Sequence, residues 1–193
     1  MKKNDTKCGK MAGLVCAAAL LVPVVGYCSG DKFIDSDDYK AKDFKKCAIA
    51  DYEGIVEGEE VNWEWIAPDA KLADYKVAIR KVENKSEKEK KSTTDFVKST
   101  FQKVSGDLKA GKKAQTLNAD VCIYDVQEYS PGKAWIPFVG GHQMQAGIGV
   151  EMVLSDKKNN TIAKFRHFAR EGIRVEDATN EAAEDLFSYV EKH

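Results

Sequence analysis

Three histidines, His142, His167 and His193, are the residues most able to move protons at neutral pH. They lie far apart in sequence and fit no common metal-ligand spacing. A lone histidine is more often structural than catalytic. The acidic residues Asp51 and Glu53, and the trio Glu57, Glu59 and Glu60, are close enough in sequence to suggest paired carboxylates. Acid–base catalysis needs two carboxyls held across a cleft with displaced pKa values, whereas acids clustered at a turn are usually solvated. No G-x-S-x-G, H-E-x-x-H or phosphate-loop pattern is present. Gly147-Ile148-Gly149 sits within an alternating apolar run with no helix after it, so it reads as close packing or a bulge rather than a dinucleotide site. No catalytic residue, metal site or cofactor is therefore expected.

Of the five cysteines, Cys8, Cys16 and Cys28 fall in the N-terminal region, leaving Cys47 and Cys122 in the body of the chain. Neither has a C-x-x-C partner or a neighbouring histidine, which argues against a catalytic thiol. They are candidates for a disulfide in an oxidising compartment. The alternative is two small buried residues of apolar strands. The aromatic residues offer another kind of chemistry. Trp135, Pro137 and Phe138 precede the Gly140-Gly141 pair, and Trp63 and Trp65 flank Glu64. Each group either completes a core or forms a contact surface, since aromatic anchors bury much area at small entropic cost.

The elements that would position these residues follow from periodicity. Residues 46–53 read as a strand ended by Gly54. Val61, Trp63 and Trp65 alternate with polar residues, and residues 72–82 alternate again. Residues 83–92 are charged and read as a solvated connection. Ser92 or Thr94 is placed to cap a helix beginning near Asp95, with Phe96, Val97, Phe101, Val104 and Leu108 on one stripe and Gly111 as its stop. A strand over 119–129 follows. Residues 146–154 and 161–169 then form a hairpin, with Ile148, Val150, Met152 and Leu154 sharing a face. Thr179 is placed to cap a last helix whose inner face carries Ala182, Ala183, Leu186, Phe187 and Val190. The order predicts an α+β fold: a mainly antiparallel sheet packed by two helices in a two-layer sandwich.

Before that domain lies a different kind of sequence. Met1, Lys2, Lys3, Lys7 and Lys10 form a basic start, and residues 11–25, MAGLVCAAALLVPVV, form an uncharged apolar run. This is the pattern of an export leader. The run is short for a membrane span, which needs ~20 apolar residues. The expected organisation is a leader over 1–28, an irregular tether over 29–45 and a single domain over 46–193. The 30 basic and 31 acidic residues nearly cancel, which excludes the basic footprint of a nucleic-acid binder.

The segment VVGYC resembles a bacterial lipobox, with Tyr27 standing where that pattern has a small residue. The resemblance implies lipidation of Cys28, and the absence of Asp after it implies an outer-membrane address. Two longer stretches, WIAPDAKLADYKVAIRKVEN and GGHQMQAGIGVEMVLSDKKNNTIAKF, resemble signatures of uncharacterised bacterial envelope lipoproteins. The likeness covers most of residues 44–190. It implies a non-catalytic lipoprotein facing the periplasm, held to the membrane through Cys28, that acts as an interaction or scaffold domain for other envelope proteins. The alternative is a soluble periplasmic module binding a small ligand, peptide or glycan. A third reading is a hydrolase, which should bring His142 or His167 within reach of a carboxylate or nucleophile.

Overall fold

The computed structural model describes residues 44–109, 114–129 and 145–193. The chain divides into two units, Met1–Gly30 and Asp31–His193, and every described residue belongs to the second. Cys28, and Trp135, Pro137, Phe138 and His142, lie outside the described residues.

Six strands form one sheet. They are β1 (Val56–Glu57), β2 (Trp63–Ile66), β3 (Tyr75–Asn84), β4 (Gln115–Gln127), β5 (Ala146–Ser155) and β6 (Thr161–Glu171), in the spatial order β1-β2-β6-β5-β4-β3. All neighbouring pairs are antiparallel except β3 and β4. Those two run parallel because helix α1 (Lys91–Asp107) connects them. A parallel pair needs such a crossover, whereas β5 and β6 close through a short turn. Helix α2 (Val175–Lys192) follows β6 and packs on β5 and β6 beside α1. The expected α+β class, a mainly antiparallel sheet packed by two helices, is the architecture found.

The alternation read from the sequence becomes the helix-facing side of this sheet. Leu117, Ala119, Val121 and Ile123 of β4 and Ile148, Val150, Met152 and Leu154 of β5 are all buried there. From the helices come Val97 and Phe101, and then Ala182, Ala183, Leu186, Phe187 and Val190. The Phe101 and Phe187 rings meet edge to face at 5.7 Å, a geometry worth about 1 kcal/mol beyond burial itself. The small Ala182 and Ala183 let α2 approach the sheet closely. Thr100 and Ser105 of α1 are also buried, beyond the apolar stripe. No helix among the described residues is long and apolar enough to cross a membrane.

Several boundaries differ from expectation. Helix α1 begins at Lys91 rather than near Asp95, with no side-chain cap. Helix α2 begins at Val175, so Thr179 is not its cap. It sits buried one turn inside, where its hydroxyl donates to the Val175 carbonyl at 2.8 Å. Leu72–Asp74 form a 3₁₀ turn before β3. The expected strand over 46–53 is absent: this segment makes no ladder. The reason lies on the other side of the sheet.

Candidate functional site

Strand β5 is buried on both faces, which a two-layer fold with a solvated outer face does not require. The face away from the helices is covered by residues 44–55, a strap that crosses the strands instead of pairing with them. Ile49, Tyr52 and Ile55 are its buried residues, packed with Phe44, Trp63, Trp65 and Val153 in a cluster separate from the main core. The strap's residues bend at Ala48 and Ala50 instead of running straight as a strand. They lie over a sheet face rather than at an edge, so no neighbouring backbone is in register with them.

Cys47 Sγ is bonded to Cys122 Sγ, with the two Cα atoms 5.6 Å apart. Cys122 points to this face because it alternates with Val121 and Ile123, which face the helices. Cys47, by contrast, belongs to the strap and not to a strand. The bond joins positions 75 residues apart. It fastens the strap's start to β4, while its end runs into β1.

Beneath the strap lies a buried ion pair. Glu151 of β5 is fully inaccessible and the Arg166 side chain of β6 is 10% exposed; Arg166 Nη1 donates to Glu151 Oε1. Such a pair is costly to desolvate and persists only when its other lone pairs and protons are satisfied. Here they are. Glu151 also accepts the Tyr52 hydroxyl at 2.7 Å and the Ile49 amide at 3.0 Å. Arg166 donates to the Lys45 carbonyl at 3.0 Å, and its guanidinium lies 3.6 Å from the Tyr124 ring centroid and 4.4 Å from that of Phe44. Burial pushes the Tyr124 phenol up to about 12, and burial with the Glu151 hydrogen bond pushes that of Tyr52 higher still.

Gly147 and Gly149 make room for this arrangement. A Cβ at Gly149 would meet the Tyr124 ring at 2.5 Å, and one at Gly147 the Phe168 ring at 2.8 Å. The close approach expected of this pair is therefore made by aromatic rings. Opposite Gly149 and Val150 the β4 register slips by one residue, leaving Tyr124 as the extra residue. A bulge of this kind re-aims a side chain, and here it lays Tyr124 over Arg166.

Trp63 and Trp65, expected either to complete a core or to form a contact surface, are half-buried against the strap cluster. Lys164 Nζ sits 4.9 Å from the Trp65 ring centroid. Gly54, at φ +78°, passes so near Trp65 that a Cβ would stand 3.2 Å from its ring. These tryptophans thus hold the chain's own strap.

His167 faces the helices. Its Nε2 lies 2.9 Å from Asp185 Oδ2, and Nδ1 accepts the Asn62 amide at 3.4 Å. The second bond fixes the proton on Nε2, which donates to Asp185. Burial holds the imidazole below its ordinary pKa, with Asp185 opposing. A histidine beside a carboxylate is the arrangement named above for a hydrolase. Both ring nitrogens, however, tie structural elements together: the lead-in to β2, strand β6 and helix α2. The acids fare similarly. Asp51 and Glu53 are exposed on the strap, and Glu60 accepts Lys192 Nζ at 2.7 and 2.8 Å. On the helix side, Tyr189 is hydrogen-bonded to Glu64, which together with burial raises its phenol's pKa.

A groove of about 480 Å³ lies elsewhere, between the end of β3 and the start of α1. Lys85, Lys90, Lys91, Glu83, Glu89 and Asp95 contribute to its lining, so it is charged rather than aromatic. No cluster of three or more potential metal ligands occurs among the described residues.

Sequence reasoning missed Glu151, Arg166, Lys164, Tyr52 and Tyr124 as members of one site. The available signal was Glu151 itself, a lone acid in the apolar run AGIGVEMVL.

No protein-family model matches this chain, and no curated protein matches it. Among solved structures, a PelC dodecamer from Paraburkholderia phytofirmans is similar at 14% identity and a TM-score of 0.36, over 66% of this chain and 94% of that one.

Proposed function

We propose that this chain is an exported envelope protein that works by binding other envelope components, tethered to a membrane by lipid at Cys28. The observation that carries the export reading is the Cys47–Cys122 bond. Disulfides persist in oxidising compartments and are rare in reducing ones, which agrees with the basic, then apolar, start of the chain. Binding is favoured over catalysis by how the reactive groups are used. Glu151, Arg166, Tyr52 and His167 are each engaged in hydrogen bonds within the fold.

Fractionation with crosslinking tests the proposal. Intact cells and spheroplasts are treated with protease, and parallel samples with a short amine crosslinker. The expected result is protection in cells, digestion in spheroplasts, and one reproducible crosslinked envelope protein. A protease-resistant cytoplasmic protein with free thiols at Cys47 and Cys122 would refute it.

A further inference from the structure

Strand β3 is one edge of the sheet. It pairs with β4 on one side, and among the described residues no strand pairs with its other side. It is ten residues long, whereas β1, at the opposite edge, has two. A long edge leaves a row of backbone donors and acceptors that can template a further strand. Cations and bulges commonly guard such edges, and β3 has both. Its cations at the bulge are engaged within the chain, however. Arg80 donates to Asp120 at 2.8 and 2.6 Å and to Asn159 at 3.0 Å. Lys81 pairs with Glu83 at 2.6 Å. Lys76 is different: it is exposed and, among the described residues, pairs with no acid.

The bulge decides which residues share a face. The register to β4 slips between Ile79 and Lys81, leaving Arg80 as the extra residue. Val77 and Ile79 before it, and Val82 and Asn84 after it, lie beside Leu117, Ala119, Val121 and Ile123 and so face the helices, as does Tyr75 by alternation. Lys76, Ala78, Lys81 and Glu83 lie on the other side. An antiparallel partner related by a two-fold axis must set each face against the same face. With the axis between Ile79 and Arg80 this holds in both halves of the strand. Tyr75 then stands opposite Asn84, Lys76 opposite Glu83, Val77 opposite Val82 and Ala78 opposite Lys81. A shift of one residue mixes the faces. A shift of two sets Lys76 against Lys81 or Lys85, and like charges directly opposite are destabilising. In the register that remains, the unpaired Lys76 of each copy meets an acid of the other.

We propose that β3 is a self-association edge, on which a second copy of this chain pairs its own β3 antiparallel about that axis, so that two sheets become one. Tyr75, Ile79 and Val82, half-buried against the core, gain apolar neighbours across the seam. The inference depends on neither export, lipid nor another envelope component, so it stands or falls separately from the function proposed above.

Sedimentation equilibrium of the oxidised full-length protein in mild detergent tests it. A monomer–dimer equilibrium is expected, with a Kd on the order of 10 µM for so small a seam. Lys76→Glu and Glu83→Lys should each weaken the dimer at least about fivefold, because each sets like charges together at two symmetric places. The double variant Lys76→Glu/Glu83→Lys restores opposite charges and should return to within about threefold of wild type. A strict monomer at concentrations on the order of 200 µM, a dimer indifferent to both single changes, or a double variant no tighter than the singles overturns the proposal. Disulfide trapping checks the register in chains carrying Cys8→Ser, Cys16→Ser and Cys28→Ser. Lys76→Cys mixed with Glu83→Cys should crosslink on mild oxidation, since directly opposed positions lie within disulfide reach. Neither should crosslink to itself, because like positions stand ~23 Å apart along the ladder. Self-crosslinking as abundant as the mixed product, or no mixed product, overturns the pairing.

Discussion

Replacing Arg166 with Met tests whether the strapped face is held by its ion pair. The substitution removes the cation while keeping most of the volume. Glu151, with no accessible surface, is then left with the Tyr52 hydroxyl and the Ile49 amide as its partners. Breaking a buried pair by removing one partner costs about 3–5 kcal/mol, because the surviving charge is stranded away from water. The oxidised domain should therefore melt roughly 10 °C lower, and its urea midpoint should fall by about 2 M. Glu151→Gln alone should cost less, about 1–2 kcal/mol. Gln keeps one acceptor oxygen, enough for the Tyr52 hydroxyl or the Ile49 amide but not both, and Arg166 keeps the Lys45 carbonyl and the Tyr124 and Phe44 rings. The double variant Glu151→Gln/Arg166→Met should then recover part of the loss, with a coupling of at least about 2 kcal/mol in the cycle. Urea titrations of all four proteins under non-reducing conditions supply the numbers. An Arg166→Met cost below about 1 kcal/mol, or strictly additive single costs, would mean that water reaches this face and the reasoning fails.

Gly149→Ala should destabilise the domain by about 2–3 kcal/mol and Gly147→Ala by less, measured by the same titration. The Tyr124 ring at Gly149 is closer than the Phe168 ring at Gly147 and is pinned over Arg166. Burial depresses the folded-state pKa of His167, so the unfolded chain binds the extra proton. Stability from this residue is present above the ordinary histidine pKa and is lost as pH falls through the depressed one. Melting temperature should drop between pH 7.5 and pH 5, with a shallower drop in His167→Gln; equal slopes would contradict the assignment. Reducing Cys47–Cys122 frees a loop of 75 residues and should cost about 4 kcal/mol, read as a lower melting temperature with far-ultraviolet dichroism retained at 25 °C.

The helix-facing half of the molecule was legible because it obeys simple periods. Ile148, Val150, Met152 and Leu154 alternate, and Ala182, Ala183, Leu186, Phe187 and Val190 recur at helical spacing, so one buried face defines each. The strapped half was not legible, because its order comes from contacts distant in sequence. Ile49 and Glu151 are 102 residues apart, and Lys45 and Arg166 are 121 apart. Nothing in the local composition of residues 46–53 distinguishes a strand from a bent segment laid across a sheet. The alternation of Trp63 and Trp65 with Glu64 places both on one face, but only the fold reveals that their own chain packs against them. The helix starts were misplaced by a few residues because Ser92, Thr94 and Thr179 are good caps in isolation, while packing set the first turns at Lys91 and Val175.

The most direct test of the account as a whole is the intact mass of the mature protein from membrane and soluble fractions, with and without prior reduction and alkylation. The account predicts a membrane-bound species beginning at Cys28 with added acyl mass, whose Cys47 and Cys122 take up alkylating reagent only after reduction. A soluble cytoplasmic chain that retains the basic segment Met1–Lys10, carries no lipid and alkylates without reduction would contradict it.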